Sequence, residues 1–156
     1  MKNNKLNFIT EEMFALLNTL PPDAKPKWGK MNAQQMVEHV MGFFNVSTEK
    51  LQFTLVTPEE HLPKYKDFLY SDKEFRENTK APSTVLGEEP LPLHYPTLSI
   101  AIEKLKQSVD NFIKYFEKEP GRKTLHPVFS MLSFDEWVLL HYKHVRHHLR
   151  QFSLVS

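Results

Sequence analysis

The chain has 156 residues, 40% of them apolar and 25% charged, with 20 Lys and Arg against 19 Asp and Glu. That size fits one domain over residues 1–156, and the even charge balance argues against nucleic acid as a partner. Cys is absent, which excludes disulfides, thiolate metal sites and a cysteine nucleophile; no apolar run suits a signal peptide or a membrane span, so a cytoplasmic protein is expected.

Gly is scarce, and the long segments repeat at helical period. A first helix is predicted from Thr10 to Leu20, with Thr10 as N-cap and Met13, Leu16, Leu17 and Leu20 as its stripe. Pro21-Pro22 stops it. A second runs from Asn32 to Ser47, opened by the variant capping box Asn32-Ala-Gln-Gln35 and carrying Met36, Val40, Phe43 and Phe44 on one face. Residues 51–96 hold six of the 11 prolines. Thr57-Pro-Glu-Glu60 signals a short helix there, with Pro63 limiting or kinking it, and the stretch from Ser71 to Pro96 reads as an irregular loop suited to roof a site. A third long helix spans Leu98 to Glu117 on the stripe Leu98, Ile102, Leu105, Val109, Phe112 and Phe116. The capping box Ser133-Phe-Asp-Glu136 opens a fourth, running to Phe152. The expected fold class is all-α: a four-helix bundle with a long Pro-rich crossover between helices two and three.

Eight histidines stand in the chain, four of them within positions 141–148. On the wheel of the fourth helix, Phe134, Val138, Val145, His148 and Phe152 fall within about 60° of His141, with His144 on the flank. His147 points elsewhere, toward Lys143, Arg146 and Arg150, a face that reads as solvated. An imidazole in an apolar stripe needs a partner, since its unpaired burial costs a few kcal/mol. His144 and His148 are four residues apart, so both rings can reach one ion. His141 and His144 form an alternative pair. A third ligand must come from another helix, and His39 on the second flanks the Met36/Val40/Phe43 stripe, with Gly42 leaving room beside it. His61, His94 and His126, near prolines, are weaker candidates. Glu38 reads as solvent-facing, Gln35 as a cap, and Trp28 and Trp137 as packing residues. Three neutral imidazoles can hold zinc, nickel, iron or manganese with a coordination position left open.

A His on the second helix followed far downstream by His-x-x-x-His resembles the DinB-like (YfiT-like) superfamily. The likeness is carried by Lys25-Pro-Lys-Trp-Gly-Lys-Met31 and Gln34-Gln-Met-Val-Glu-His39. At the other end His126-Pro-Val-Phe, Glu136-Trp137 and His144-Val-Arg-His-His-Leu-Arg-Gln-Phe152 carry it, in the manner of an uncharacterised bacterial branch. The resemblance implies an up-down-down-up four-helix bundle, frequent homodimers, and a divalent metal held by His39, His144 and His148. Zinc or nickel come first as the ion, iron or manganese next. His141 is left as a donor behind a ligand, a fourth ligand or a core histidine.

The same resemblance implies a metal-dependent enzyme acting on a small molecule, with transfer of a low-molecular-weight thiol as one reaction. A metal-dependent hydrolase and a non-catalytic, metal-binding dimeric bundle are the alternatives. No carboxylate stands out as a general base. With no Cys in the chain, any sulfur nucleophile must arrive as a cosubstrate.

Overall fold

The computed structural model describes residues 2–79, 82, 86–87 and 89–156. Among the described residues the chain is mostly helical, with one small two-stranded sheet. Helix α1 (Lys2–Asn7) runs through a π-helical turn (Phe8–Glu12) into α2 (Met13–Leu17). Then come α3 (Ala33–Ser47), α4 (Leu62–Tyr70), α5 (Leu98–Lys118), the hairpin strands β1 (Lys123–His126) and β2 (Ser130–Ser133), and α6 (Phe134–Gln151). Among the described residues no helix is long and apolar enough to cross a membrane.

The capping signals act where the sequence puts them. Asn32 Oδ1 accepts from Gln35 N at 2.8 Å and Gln35 Oε1 accepts from Asn32 N at 2.9 Å, so the box at the start of α3 is reciprocal. Ser133 and Glu136 exchange the same pair of bonds at the start of α6. Each box satisfies two backbone donors that a helix start leaves orphaned. Helix α5 takes Thr97 as its cap, through Ile100 N.

Three expectations give way. Helical structure begins near Lys2, not at Thr10, because Phe8 and Ile9 are themselves buried core residues. Thr10 lies inside the π turn, and its hydroxyl donates back to Leu6 O at 2.9 Å instead of capping. The wider turn, closed by Met13 N on Phe8 O, brings Phe8, Ile9 and Met13 all to the core. In the Pro-rich stretch, Glu59–His61 forms a 3-10 turn that leads into α4. Pro63 sits in the first turn of α4, where a missing N–H costs nothing, so it opens this helix and does not limit it. Residues 80–81, 83–85 and 88 of the expected loop lie outside the described residues.

The hairpin pairs Lys123 with Ser133 and His126 with Ser130 around the loop Pro127-Val-Phe129. Ser130, the first residue of β2, follows the loop with φ +71° in the left-handed region. Helix α3 packs along α5 and against α6, and α1 packs against α6. Phe44, Phe112, Leu105, Leu132 and Trp137 are fully buried between them. Helix α4 is tied to the start of α6 by Lys66 Nζ and Tyr70 Oη, which donate to Glu136 Oε2 at 2.7 and 2.8 Å.

Candidate metal centre

His39 comes from the middle of α3, and His144 and His148 come from successive turns of α6. The structure brings the three rings to one point. Nε2 of His144 lies 3.0 Å from Nε2 of His39 and 3.1 Å from Nε2 of His148. A ligand nitrogen from each falls within 4.8 Å of the other two. The rings stand at 66° to 83° to one another, so they meet by their edges. Phe43, one turn beyond His39, presses against both His39 and His144.

The tautomer of His148 is fixed from behind. Its Nδ1 lies 2.7 Å from Gln151 Oε1, an acceptor, so Nδ1 carries the proton and the Nε2 lone pair faces the other rings. Gln151 is held in turn: its Nε2 donates to Trp28 O at 2.8 Å and its backbone O accepts from Lys27 N at 2.7 Å. Gly29 follows Trp28 with φ +82°, and a Cβ there would stand 2.9 Å from Gln151 Nε2. The glycine of the Trp-Gly-Lys-Met segment is therefore required both by its backbone and by this close approach.

All three rings are neutral near pH 7. Burial pushes His39 down to about 4, helped by the charge of nearby His147. Burial also takes His144 and His148 well below the ordinary imidazole range, and the neighbouring histidines add to it. Protein crowds these rings, yet His39 and His144 keep partial exposure because a cavity reaches them. Neutral imidazoles facing one another at 3.0 Å have lone pairs that repel unless a proton or cation lies among them. A dication bonded to each nitrogen at about 2.0–2.1 Å removes that conflict, and the donor set fits such an ion.

The cavity above the three rings measures about 1320 Å³. Its walls are largely aromatic and apolar, with Met31, Phe43, Tyr65, Phe68, Phe75 and Phe129 among them. Residues from the Pro-rich stretch, from His61 through His94, line one side of it. The expected roofing loop and the triad thus share one space.

The family model of the DinB superfamily matches residues 6–152. The chain belongs to the DinB superfamily. No curated protein and no solved structure matches it. The match spans both motif-bearing ends that meet at the triad of this DinB protein.

Other expected residues fall elsewhere. His141 is 1% exposed and stacks flat between Phe44 and Trp137, apart from the group of three. It is a core histidine, and its Nε2 meets no partner among the described residues. His94 lies at the surface beside Glu38, and His61 lies at the cavity edge. His126, a weaker candidate by sequence, is buried and lines the cavity. Trp137 donates from Nε1 to Thr124 Oγ1 at 2.8 Å and also lines the cavity, while Trp28 packs against His147. Gly42 is not needed for room: a Cβ there would meet nothing within 4 Å.

Two surface readings are corrected. Glu38 does not face solvent. It accepts from His94 N at 2.7 Å, Gln34 Nε2 at 3.0 Å and Tyr95 N at 3.3 Å. Burial works to raise its pKa, but these donors outweigh it and hold the carboxyl below its usual range. The face of α6 that bears Lys143 and His147 is not solvated either, since both side chains are buried under residues 71–75. Sequence reasoning also missed Gln151 as the residue behind His148. Its three-residue spacing from His148 was the available signal.

Proposed function

We propose that this DinB protein is a metal-dependent enzyme acting on a small molecule, with one divalent ion held by Nε2 of His39, His144 and His148. In this reading residues 1–156 form one domain, an up-down-down-up four-helix bundle whose Pro-rich segment crosses between the second and third long helices. The observation that carries it is the convergence of three neutral imidazoles on the wall of a 1320 Å³ cavity. Zinc and nickel suit the nitrogen set best, with iron and manganese next. A bound ion would supply positive charge that lowers the pKa of a thiol or a water.

The chain's own residues would do the rest. Neutral ligands leave an ion its full charge, and none of the three is a carboxylate that would offset it. Gln151 holds the His148 ring in place. The aromatic wall of Phe43, Phe68 and Phe129 keeps water away from a bound substrate. Glu38, beside His39 in sequence, is occupied by its three donors and is not offered as a base. The DinB likeness favours transfer of a low-molecular-weight thiol, and because the chain has no Cys that thiol would bind as cosubstrate.

Elemental analysis of the purified protein and of His39→Ala tests the ion. About one equivalent in the parent, absent from the variant, is the expected result. Cobalt loading followed by millimolar thiol tests the reaction. A new sulfur-to-metal charge-transfer band, with thiol-dependent consumption of an electrophile, is expected. Thiol-independent ester or amide hydrolysis without that band would make the protein a hydrolase. Full metal binding with neither reaction would make it a metal-binding scaffold.

A further inference from the structure

His126 closes β1 at the cavity wall and takes no part in the triad. Its Nδ1 accepts two backbone donors from the hairpin loop, Val128 N at 2.9 Å and Phe129 N at 3.2 Å. A nitrogen that accepts two N–H groups carries no proton, so the neutral ring carries it on Nε2. Burial keeps the ring neutral, pushing it down to about 3. The ring is only 7% exposed, and among the described residues its Nε2–H meets no acceptor. It stacks on Phe43 with centroids 5.6 Å apart, and Phe43 touches both His39 and His144. A fixed donor therefore stands in an apolar wall, one ring away from the three converging nitrogens. The donor opens on the cavity and has no acceptor among the described residues, so a ligand that brings an acceptor can take it without breaking an internal bond.

We propose that Nε2–H of His126 is the donor that orients the substrate, and that the substrate is a compound with an apolar body and a neutral acceptor oxygen such as a carbonyl. The oxygen binds at His126, and the apolar body lies against Tyr65, Phe68 and Phe129. The inference rests on the reading of the cavity as the substrate site but not on the identity of the ion.

The probe is acetophenone, compared with α-methylstyrene, in which a CH₂ replaces the carbonyl oxygen. Two variants withdraw the donor. His126→Asn places a side-chain oxygen where Val128 N and Phe129 N can still donate, an Asx-turn arrangement that preserves the hairpin. His126→Phe keeps the aromatic stack. Bound acetophenone is expected to show its carbonyl stretch at lower frequency in the parent than in either variant. Its affinity should fall about tenfold on substitution, the equivalent of one ordinary hydrogen bond. α-Methylstyrene should bind parent and variants alike. The ring nitrogens read by heteronuclear NMR should show His126 protonated at Nε2. An unchanged carbonyl stretch and affinity, failure of acetophenone to bind the parent, or a proton on Nδ1 would overturn the inference. Metal content measured on the same samples separates the two readings: it stays at the parent level in both His126 variants if the three-histidine site stands, whatever the carbonyl does.

Discussion

The inward face of α6 meets α3 helix to helix, while its outward face is covered by irregular chain. Inward, His144 and His148 approach His39, and Gln151 locks the arrangement from the end of the helix. Outward, residues 71–75 lie across Lys143, Arg146, His147 and Arg150. Lys143 Nζ donates to Ser71 O at 2.8 Å and to Lys73 O, and Arg150 Nη2 donates to Phe75 O at 2.8 Å. Glu74 pairs with both arginines at 3.3 and 3.4 Å, and His147 lies between the rings of Trp28 and Phe75. Irregular backbone brings carbonyls that have no helical or sheet partner and must be satisfied. Long basic side chains satisfy them while their stems pack. A row of cations on a helix can thus fasten a cover, and the cover here is part of the cavity wall.

Substituting one histidine on each face separates the two roles most sharply. His148→Ala should lose metal affinity by at least about 100-fold, since it removes one of the three proposed ligands. His147→Ala, its neighbour on the covered face, should keep the metal and lower only the melting temperature. Metal titration and thermal melts of both variants check this. Equal metal loss in the two would erase the distinction between the faces.

Acid should act on the buried imidazoles before it touches the basic cover. The folded pKa of His126 is pushed down to about 3 and that of His39 to about 4, both below the ordinary ~6.5. Between those values the unfolded chain binds more protons, so stability is full above about pH 6.5 and falls as pH drops toward pH 3. Denaturant melts of the metal-free protein should show a loss on the order of several kcal/mol across that window. The metal should be retained below pH 6.5, because protons compete weakly for depressed imidazoles. Release centred at pH 6.5 or above would contradict the burial of the ligands.

The support behind His148 gives a smaller effect. Gln151→Ala should weaken metal binding about 10- to 100-fold without removing a ligand. Gly29→Ala should act in the same direction, since its Cβ would press on Gln151 Nε2 from a strained backbone. An affinity unchanged in Gln151→Ala would mean that the ring orients itself.

The smallest effect belongs to the cover. Lys143→Met keeps the stem and leaves the Ser71 and Lys73 carbonyls without their donor, at a cost of about 1–2 kcal/mol. Hydrogen exchange should rise in residues 71–79 and stay unchanged in α3. Uniform exchange throughout would mean that Lys143 does not fasten the segment.

The same contrast explains what could be read from the sequence. Two capping boxes and the stripe from Leu98 to Phe116 located α3, α5 and α6, because caps and period are local signals. The triad is legible in the wheel position of His39 together with the DinB resemblance. The π turn at Phe8–Glu12 has no such signal, since Thr10 and two acids imitate a helix start. Glu38 looked exposed because the segment that fills its hydrogen bonds arrives from His94 and Tyr95, 56 and 57 positions away. The cover on α6 was invisible for the same reason: irregular chain has no period to match against a helix face. His126 reads as a loop histidine, because the four-residue strand that holds it is too short to stand out.

Metal-edge X-ray absorption on the zinc-loaded protein tests the central claim most directly. The account predicts three imidazole nitrogens at about 2.0–2.1 Å in the parent and a loss of that signature in His39→Ala. Fewer than two imidazoles around the ion, or a spectrum that His39→Ala leaves unchanged, would contradict it.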